Sequence, residues 1–251
     1  MTVGSAQPKL SVNVNKVATL RNSRGGTEPS VIDAVRVCVA AGVPGITVHP
    51  RADARHITMS DVREISRELA ALGKGTEFNI EGDPRPDLLA IVREIRPTQC
   101  TLVPVKPGEV TSQAGWPSNT PVDNMRDIVR GIQKHGSRVS MFVDPEPEPI
   151  RWAASLGADR IELYTEPFAR AFADSLESGR RSFQRYADAS SLAHDLGLGV
   201  NAGHDLDLNN LTLFRTLPHL DEVSIGHALV SHALFVGLER SVREYLAALA
   251  S

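Results

Sequence analysis

Two hydrophobic periods alternate along this chain from end to end. Short runs rich in β-branched and other apolar residues stand at LSVNV (10–14), GITVH (45–49), TEFNI (76–80), CTLVP (100–104), RVSMFV (138–143), RIELY (160–164), LGVN (198–201) and EVSI (222–225). Between them, apolar residues recur with helical spacing in SVIDAVRVCVAAG (30–42), SDVREISRELAALG (60–73), DLLAIVREI (87–95), NMRDIVRGIQKHG (124–136), EPIRWAASLGA (148–158) and HALVSHALFVGLERSVREYLAAL (227–249). Gly42, Gly73, Gly136 and Gly157 each follow such a stretch, as a C-terminal cap does. Eight strands alternating with about as many helices predict an α/β fold with a parallel sheet, and the count of eight favours a closed (β/α)8 TIM barrel with extra helices. An open doubly wound sheet is the alternative, weakened because no G-x-G-x-x-G follows the first strand.

The pattern reads as one barrel domain over residues 1–251, with two excursions. A long polar loop, VKPGEVTSQAGWPSNTPV (105–122), follows the fourth strand and is a candidate lid. Residues 166–195 hold more helix than one crossover needs, with a break expected at GRR (179–181). Length and composition, 251 residues with 41% hydrophobic and 23% charged, suit a globular protein with a sizeable core. The net charge of −3 and the lack of a long basic run give no support for nucleic-acid binding. Cys38 and Cys100 fall in apolar patterns and read as small buried hydrophobes, and no spacing suggests a metal site. The segment MTVGSAQPKL lacks the apolar core of a signal peptide, and no run approaches the length of a membrane span. A cytoplasmic protein without membrane partners is expected.

Chemistry-bearing residues gather where strands end. The first strand carries Asn13, Asn15 and Lys16; the second His49, then Arg51, Arg55 and His56; the third Asn79 and Glu81. The fourth runs into Pro104 and Lys106, the fifth into Asp144, the sixth carries Glu162 and Thr165, and the eighth Gly226 and His227. In a barrel these positions converge on the face that holds active sites, and the opposite strand ends are expected to show no comparable set. NAGHD (201–205) and SIGHA (224–228) each put glycine before histidine where a strand gives way to a helix, the usual phosphate site of this architecture. His204 is thereby placed to reach reacting atoms. A histidine titrating near neutrality at 49 and a carboxyl at 81, its proton affinity raised by burial, could share proton transfers, while Arg51, Arg55 and His56 could hold a phosphate. His135, His194, His219 and His232 read as ordinary helix or helix-end residues, and DPEPEP (144–149) as a loop and helix start.

These stretches together resemble the pyridoxine 5′-phosphate synthase family. The likeness is carried by VNVNKVATLRNSRGG (12–26), GITVHPRADARHI (45–57), FNIEG (78–82), LVP with EVTS (102–112), VNAGHDL (200–206) and IGHAL (225–229). The resemblance implies a barrel enzyme, a transferase that condenses 1-deoxy-D-xylulose 5-phosphate with 3-amino-2-oxopropyl phosphate. It implies no metal or organic cofactor, and a homo-oligomer, an octamer built from dimers. By motif position, His49 and Glu81 correspond to proton acceptors and His204 to the proton donor. Asn13, Arg24, Asp205, Gly226 and His227 correspond to residues holding the aminoketone phosphate; Asn15, Lys16, Arg51, His56 and Thr111 to those holding the deoxyxylulose phosphate. Two departures stand out. Asn15-Lys16 replaces the Asp-His of many members, and Asp205 replaces a frequent glycine, where its side chain is expected to cap the seventh helix. A barrel enzyme joining another pair of phosphorylated molecules, or a non-catalytic binder of pyridoxine phosphate, are the competing readings.

Overall fold

The computed structural model of the protein describes residues 7–105 and 112–250, so Lys106 and Thr111 lie outside the described residues, as does most of the first half of the candidate lid. Eight parallel strands close into a barrel in sequence order: β1 (Lys9–Asn13), β2 (Gly45–Val48), β3 (Glu77–Gly82), β4 (Gln99–Leu102), β5 (Arg138–Val143), β6 (Arg160–Tyr164), β7 (Gly199–Gly203) and β8 (Leu220–Ile225). The open-sheet alternative is excluded because β8 pairs with β1, Val12 beside Ile225. The helices around it are α1 (Asn15–Asn22), α2 (Val31–Ala40), α3 (Met59–Leu72), α4 (Pro86–Ile95), α5 (Val122–Gln133), α6 (Pro147–Ser155), α7 (Glu166–Asp174), α8 (Leu176–Asp195), α9 (Leu211–Phe214), α10 (His227–Val236) and α11 (Leu238–Ala250). Gly42, Gly73, Gly136 and Gly157 all have positive φ, as C-terminal caps require.

A strand buried on both faces ordinarily reads as a continuous apolar run. Here the strands alternate, because the two faces meet different surroundings. Leu10, Val12, Ile46, Val48, Phe78, Ile80, Met141, Leu163 and Ile225 join the core cluster together with helix residues such as Val35, Ile65 and Ile91. The other parity is polar yet buried. Ser11 Oγ pairs with Thr47 Oγ1 at 2.7 Å, Asn79 donates to Thr47 at 3.3 Å, and Thr101 donates to Asn79 Oδ1 at 3.1 Å. Barrel interiors are usually filled by branched apolar side chains; this one is lined by hydroxyls, amides and carboxyls.

Three expectations need correction. The break near 179–181 falls instead at Ser175, which ends α7 and caps α8 by accepting from Ser178 N at 3.1 Å. Gly179 sits inside α8, where an added Cβ would lie 2.8 Å from the Phe172 ring, so it serves close packing of α7 and α8. The stretch 227–249 is two helices, divided at Gly237 with φ +87. The helix α1 carries no helical apolar pattern, since only Val17 and Ala18 of it are buried. Finally, the opposite strand ends do carry a polar set. Lys9 and Arg138 both pair with Glu77, and Arg160 donates to Asn201 at 2.8 Å. Asn201 and Gln99 in turn donate to Glu222 at 3.4 and 3.5 Å. What distinguishes the lower end is charge pairing, Glu77 with Lys9 and Arg138, although Arg138 Nε stays without a hydrogen-bond partner among the described residues.

Candidate active site

At the upper end, Glu81 points inward from β3 with Asn13 of β1 donating to its Oε2 at 3.4 Å. His49, immediately after β2, places Nδ1 3.8 Å from the same oxygen. Its ring is held by its backbone, whose N–H donates to Asn15 Oδ1 at 2.9 Å, while Asn15 N donates to Asn13 Oδ1 at 3.0 Å. His49 Nε2 is buried with no hydrogen-bond partner among the described residues. His49, Glu81, Glu162 and His204 line one cavity of about 420 Å³. Asn13, Asn15, Lys16, Arg51 and His56 form one part of its wall, and Asp205, Gly226 and His227 another.

Arg24 is not brought to this cavity. It is exposed beyond the end of α1, which carries the chain about 12 Å from the strand end at 1.5 Å per residue. Arg55 does line the cavity, half-buried, and its guanidinium is engaged with Asp53 at 2.5 Å.

The titratable groups are pushed away from their ordinary states. Burial, reinforced by Glu222, drives Glu81 up to about 8 against a hydrogen bond from Ser224. Glu162 lies well above the carboxylate range through burial and then the charges of Glu81 and Glu222. Glu222 is raised to about 7, again by burial. The histidines move the other way. Burial, then the positive neighbours His56, Arg51 and Arg85, hold His49 well below 6.5, so it is neutral at pH 7 rather than titrating near neutrality as expected. Burial and Arg51 take His56 to about 4, and burial lowers His204.

These shifts set a stability profile. The three carboxyls keep protons that the unfolded chain releases near 4.5, so each loses stability as pH rises from there to its folded value. The three histidines refuse protons that the unfolded chain takes up near 6.5, so each gains stability as pH rises to that point. Between about 4.5 and 6.5 the two trends oppose one another; above 6.5 only the carboxyls act. Unfolding free energy in urea is therefore expected to be nearly flat from pH 5 to 6.5 and to fall from 6.5 to 8.5. Glu222→Gln should reduce that fall; a wild-type protein that gains stability up to pH 8.5 would contradict the assignment.

The two glycine–histidine pairs differ. On β8, Gly226 precedes α10 directly, and the first-turn N–H groups of that helix have no intrahelical acceptor. Gly226, His227 and Ala228 line the cavity, so the free N–H groups of this turn lie at its wall, an arrangement that favours an anion. An added Cβ at Gly226 would lie 3.0 Å from Asn13. On β7, no helix follows at once. His204 and Asp205 are both left-handed, with φ +85 and +59, and α9 starts only at Leu211. Asp205 therefore caps no helix; Asn210 precedes α9, and Asp207 accepts from the N–H groups of Asn209 and Asn210 at 2.9 and 2.8 Å. An added Cβ at Gly203 would meet Glu162 Oε1, so a side chain there would require that carboxyl to shift.

Glu162 and Ser224 belong to the site and were underweighted in the sequence. The signal was available: in RIELY and EVSI these residues occupy the inward parity of β6 and β8. Thr19, Ser112, Leu206, Ile225 and Ala228 complete the lining, and each lies in a stretch that carries the family resemblance. Among the described residues, no three His, Cys, Asp or Glu side chains converge as metal ligands, and no helix is long and apolar enough to cross a membrane.

A family described as pyridoxal phosphate biosynthesis protein PdxJ matches residues 10–251. The chain belongs to this family. It is 50% identical over 238 residues to the pyridoxine 5′-phosphate synthase of Porphyromonas gingivalis, covering 94% of this chain and 97% of that one. It is 49% identical over 248 residues to the pyridoxine 5′-phosphate synthase of Leptospira biflexa serovar Patoc, covering 95% of each. Among solved structures, the phosphoribosyl anthranilate isomerase of Thermus thermophilus superposes with a TM-score of 0.56 at 13% identity, covering 96% of this chain and 98% of that one. That likeness concerns the barrel alone.

Proposed function

We propose that the chain, working as one barrel domain, condenses 1-deoxy-D-xylulose 5-phosphate with 3-amino-2-oxopropyl phosphate. The products are pyridoxine 5′-phosphate, inorganic phosphate and water, a step of vitamin B6 biosynthesis. The observation that carries the reading is the convergence of His49, Glu81 and His204 on one cavity together with the open turn of α10. Two small phosphorylated molecules fit a cavity of about 420 Å³.

The reaction needs an amine joined to a carbonyl, a carbon proton removed, phosphate expelled, and a ring closed with loss of water. Each step moves a proton, which calls for groups able to act in both directions. His49, neutral at pH 7 and lining the cavity, accepts a proton; Glu81, whose proton affinity lies close to the working range, takes and returns one. His204 donates. Burial lowers its proton affinity, Asp205 raises it, and a bound phosphate raises it further. Asp205 thus acts on His204 through its charge. Gly226 and His227 hold one phosphate at the α10 turn, while Asn15, Lys16, Arg51 and His56 hold the other substrate. Asn15 also fixes the backbone of His49, a task its amide oxygen performs as a carboxylate oxygen would, and Lys16 supplies an ammonium at the cavity wall. Leu234 and Phe235, 70% and 89% exposed at the end of α10, are apolar surface that a homo-oligomer would cover.

The test is direct. Purified protein mixed with the two phosphorylated substrates is expected to form pyridoxine 5′-phosphate and free phosphate in equal amounts, followed by chromatography. A folded protein that binds pyridoxine 5′-phosphate but forms neither product would move the reading to a silent binder. Turnover with another pair of phosphorylated substrates would move it to a related condensing enzyme.

A further inference from the structure

Thr165 stands fully buried where β6 gives way to α7. Threonine at this N-cap position ordinarily accepts a hydrogen bond from the first turn of its helix. Here it makes no such bond. Its hydroxyl turns to the end of β7, donating to the carbonyl of Gly203 at 2.7 Å and also facing the carbonyl of His204. Its backbone N–H reaches Gly203 O as well, at 3.0 Å.

The segment it grips is the unusual one. His204 and Asp205 are consecutive left-handed residues that both carry side chains, a conformation that persists only where the surroundings impose it. Asn210 Nδ2 ties the carbonyl of Asp205 at 3.0 Å. The His204 ring rests on Phe142 and Tyr164, with centroids 5.2 and 5.3 Å away. Those two rings pack on one another at 5.6 Å and form a small buried apolar cluster with Val103. The ring is therefore walled by aromatics, and its backbone is pinned from β6.

We propose that Thr165 is a positioning residue for His204, its hydroxyl holding the left-handed turn that aims the imidazole into the cavity. This rests on His204 being a proton carrier of the proposed reaction. The deciding contrast is Thr165→Ser against Thr165→Ala, which differ only in the hydroxyl, with Thr165→Val as the isosteric partner. Thr165→Ser is expected to keep kcat close to that of the parent. The Ala and Val variants are expected to lose about tenfold or more in kcat, with both KM values little changed, as a small misplacement of a catalytic group does. In ¹⁵N-histidine spectra, the His204 ring signals should move in the Ala and Val variants and stay in place in the Ser variant. Parental kcat in Thr165→Ala, or a fall in kcat with His204 signals unmoved, would overturn the proposal. So would failure of both the Ala and Val variants to fold, since the hydroxyl would then serve the fold. Should the parent form no product, the proposed function fails on its own, while the spectra still decide whether Thr165 sets His204.

Discussion

Glu81→Gln is expected to lower kcat for pyridoxine 5′-phosphate formation by about two to four orders of magnitude, the range that a positioned acid–base group contributes. The substitution keeps the shape of the side chain and its contact with Asn13, so the loss reads proton transfer rather than packing. The pH profile sharpens the claim. Glu81 sits at about 8 because burial and Glu222 oppose its charge, so the fraction able to accept a proton increases as pH rises through that value. The parental kcat/KM should climb from pH 6.5 to 8.5, and the residual activity of the Gln variant should lack that limb. Retention of more than a tenth of the parental kcat in Glu81→Gln would remove Glu81 from the proton path and leave His49 and His204 to carry it.

The barrel was legible because its strands keep a strict alternation. Leu10, Val12, Ile46, Val48, Phe78 and Ile80 mark one parity, and the residues between them proved to be the polar lining. The same alternation made the upper site readable, since Asn13, Glu81, Glu162 and Ser224 occupy inward positions near strand ends. The lower set was hidden by the same logic. Glu77, Arg138 and Arg160 open runs that otherwise look apolar, and only closure of the barrel shows that they face one another. Local signals also misled where a residue served a distant partner. Asp205 has the chemistry of a helix cap, yet the turn in which it stands is set by contacts from β6 and Asn210. GRR resembles a helix break, yet Gly179 is small because Phe172 needs the space. Which substrates the cavity takes was never a matter of periodicity; it came from the family motifs.

Arg21→Met is expected to produce the largest loss of stability, because it strands a buried carboxylate. Arg21 forks onto Asp61 with Nη1 at 2.5 Å and Nη2 at 2.9 Å, and Nη2 also reaches the carbonyl of His56 at 3.3 Å. Asn22 donates to that carbonyl at 2.9 Å. Asp61 in turn accepts from the N–H and hydroxyl of Thr58, both at 2.8 Å, closing the capping box of α3. Three elements meet at this one carboxyl: α1, whose first turn holds Asn15 and Lys16; the segment carrying Arg51 and His56; and the start of α3. Burial alone would raise the proton affinity of Asp61, but the bonds from Arg21 and Thr58 overcome it and hold the group ionised. Removing the guanidinium leaves that charge unmatched, at a cost of about 3–5 kcal/mol. For a chain of this size the melting temperature should drop by about 10 °C. Activity should follow a different course from Glu81→Gln: the KM for the deoxyxylulose phosphate rises, because both walls proposed to hold it shift, while kcat at saturation changes less. Arg21→Lys should recover little, since one ammonium cannot reproduce the fork. Arg21→Met combined with Asp61→Asn should recover part of the stability by removing the stranded charge. An unchanged melting temperature in Arg21→Met would mean that α1 is held by Val17 and Ala18 alone, and the clamp would then have no part in shaping the site.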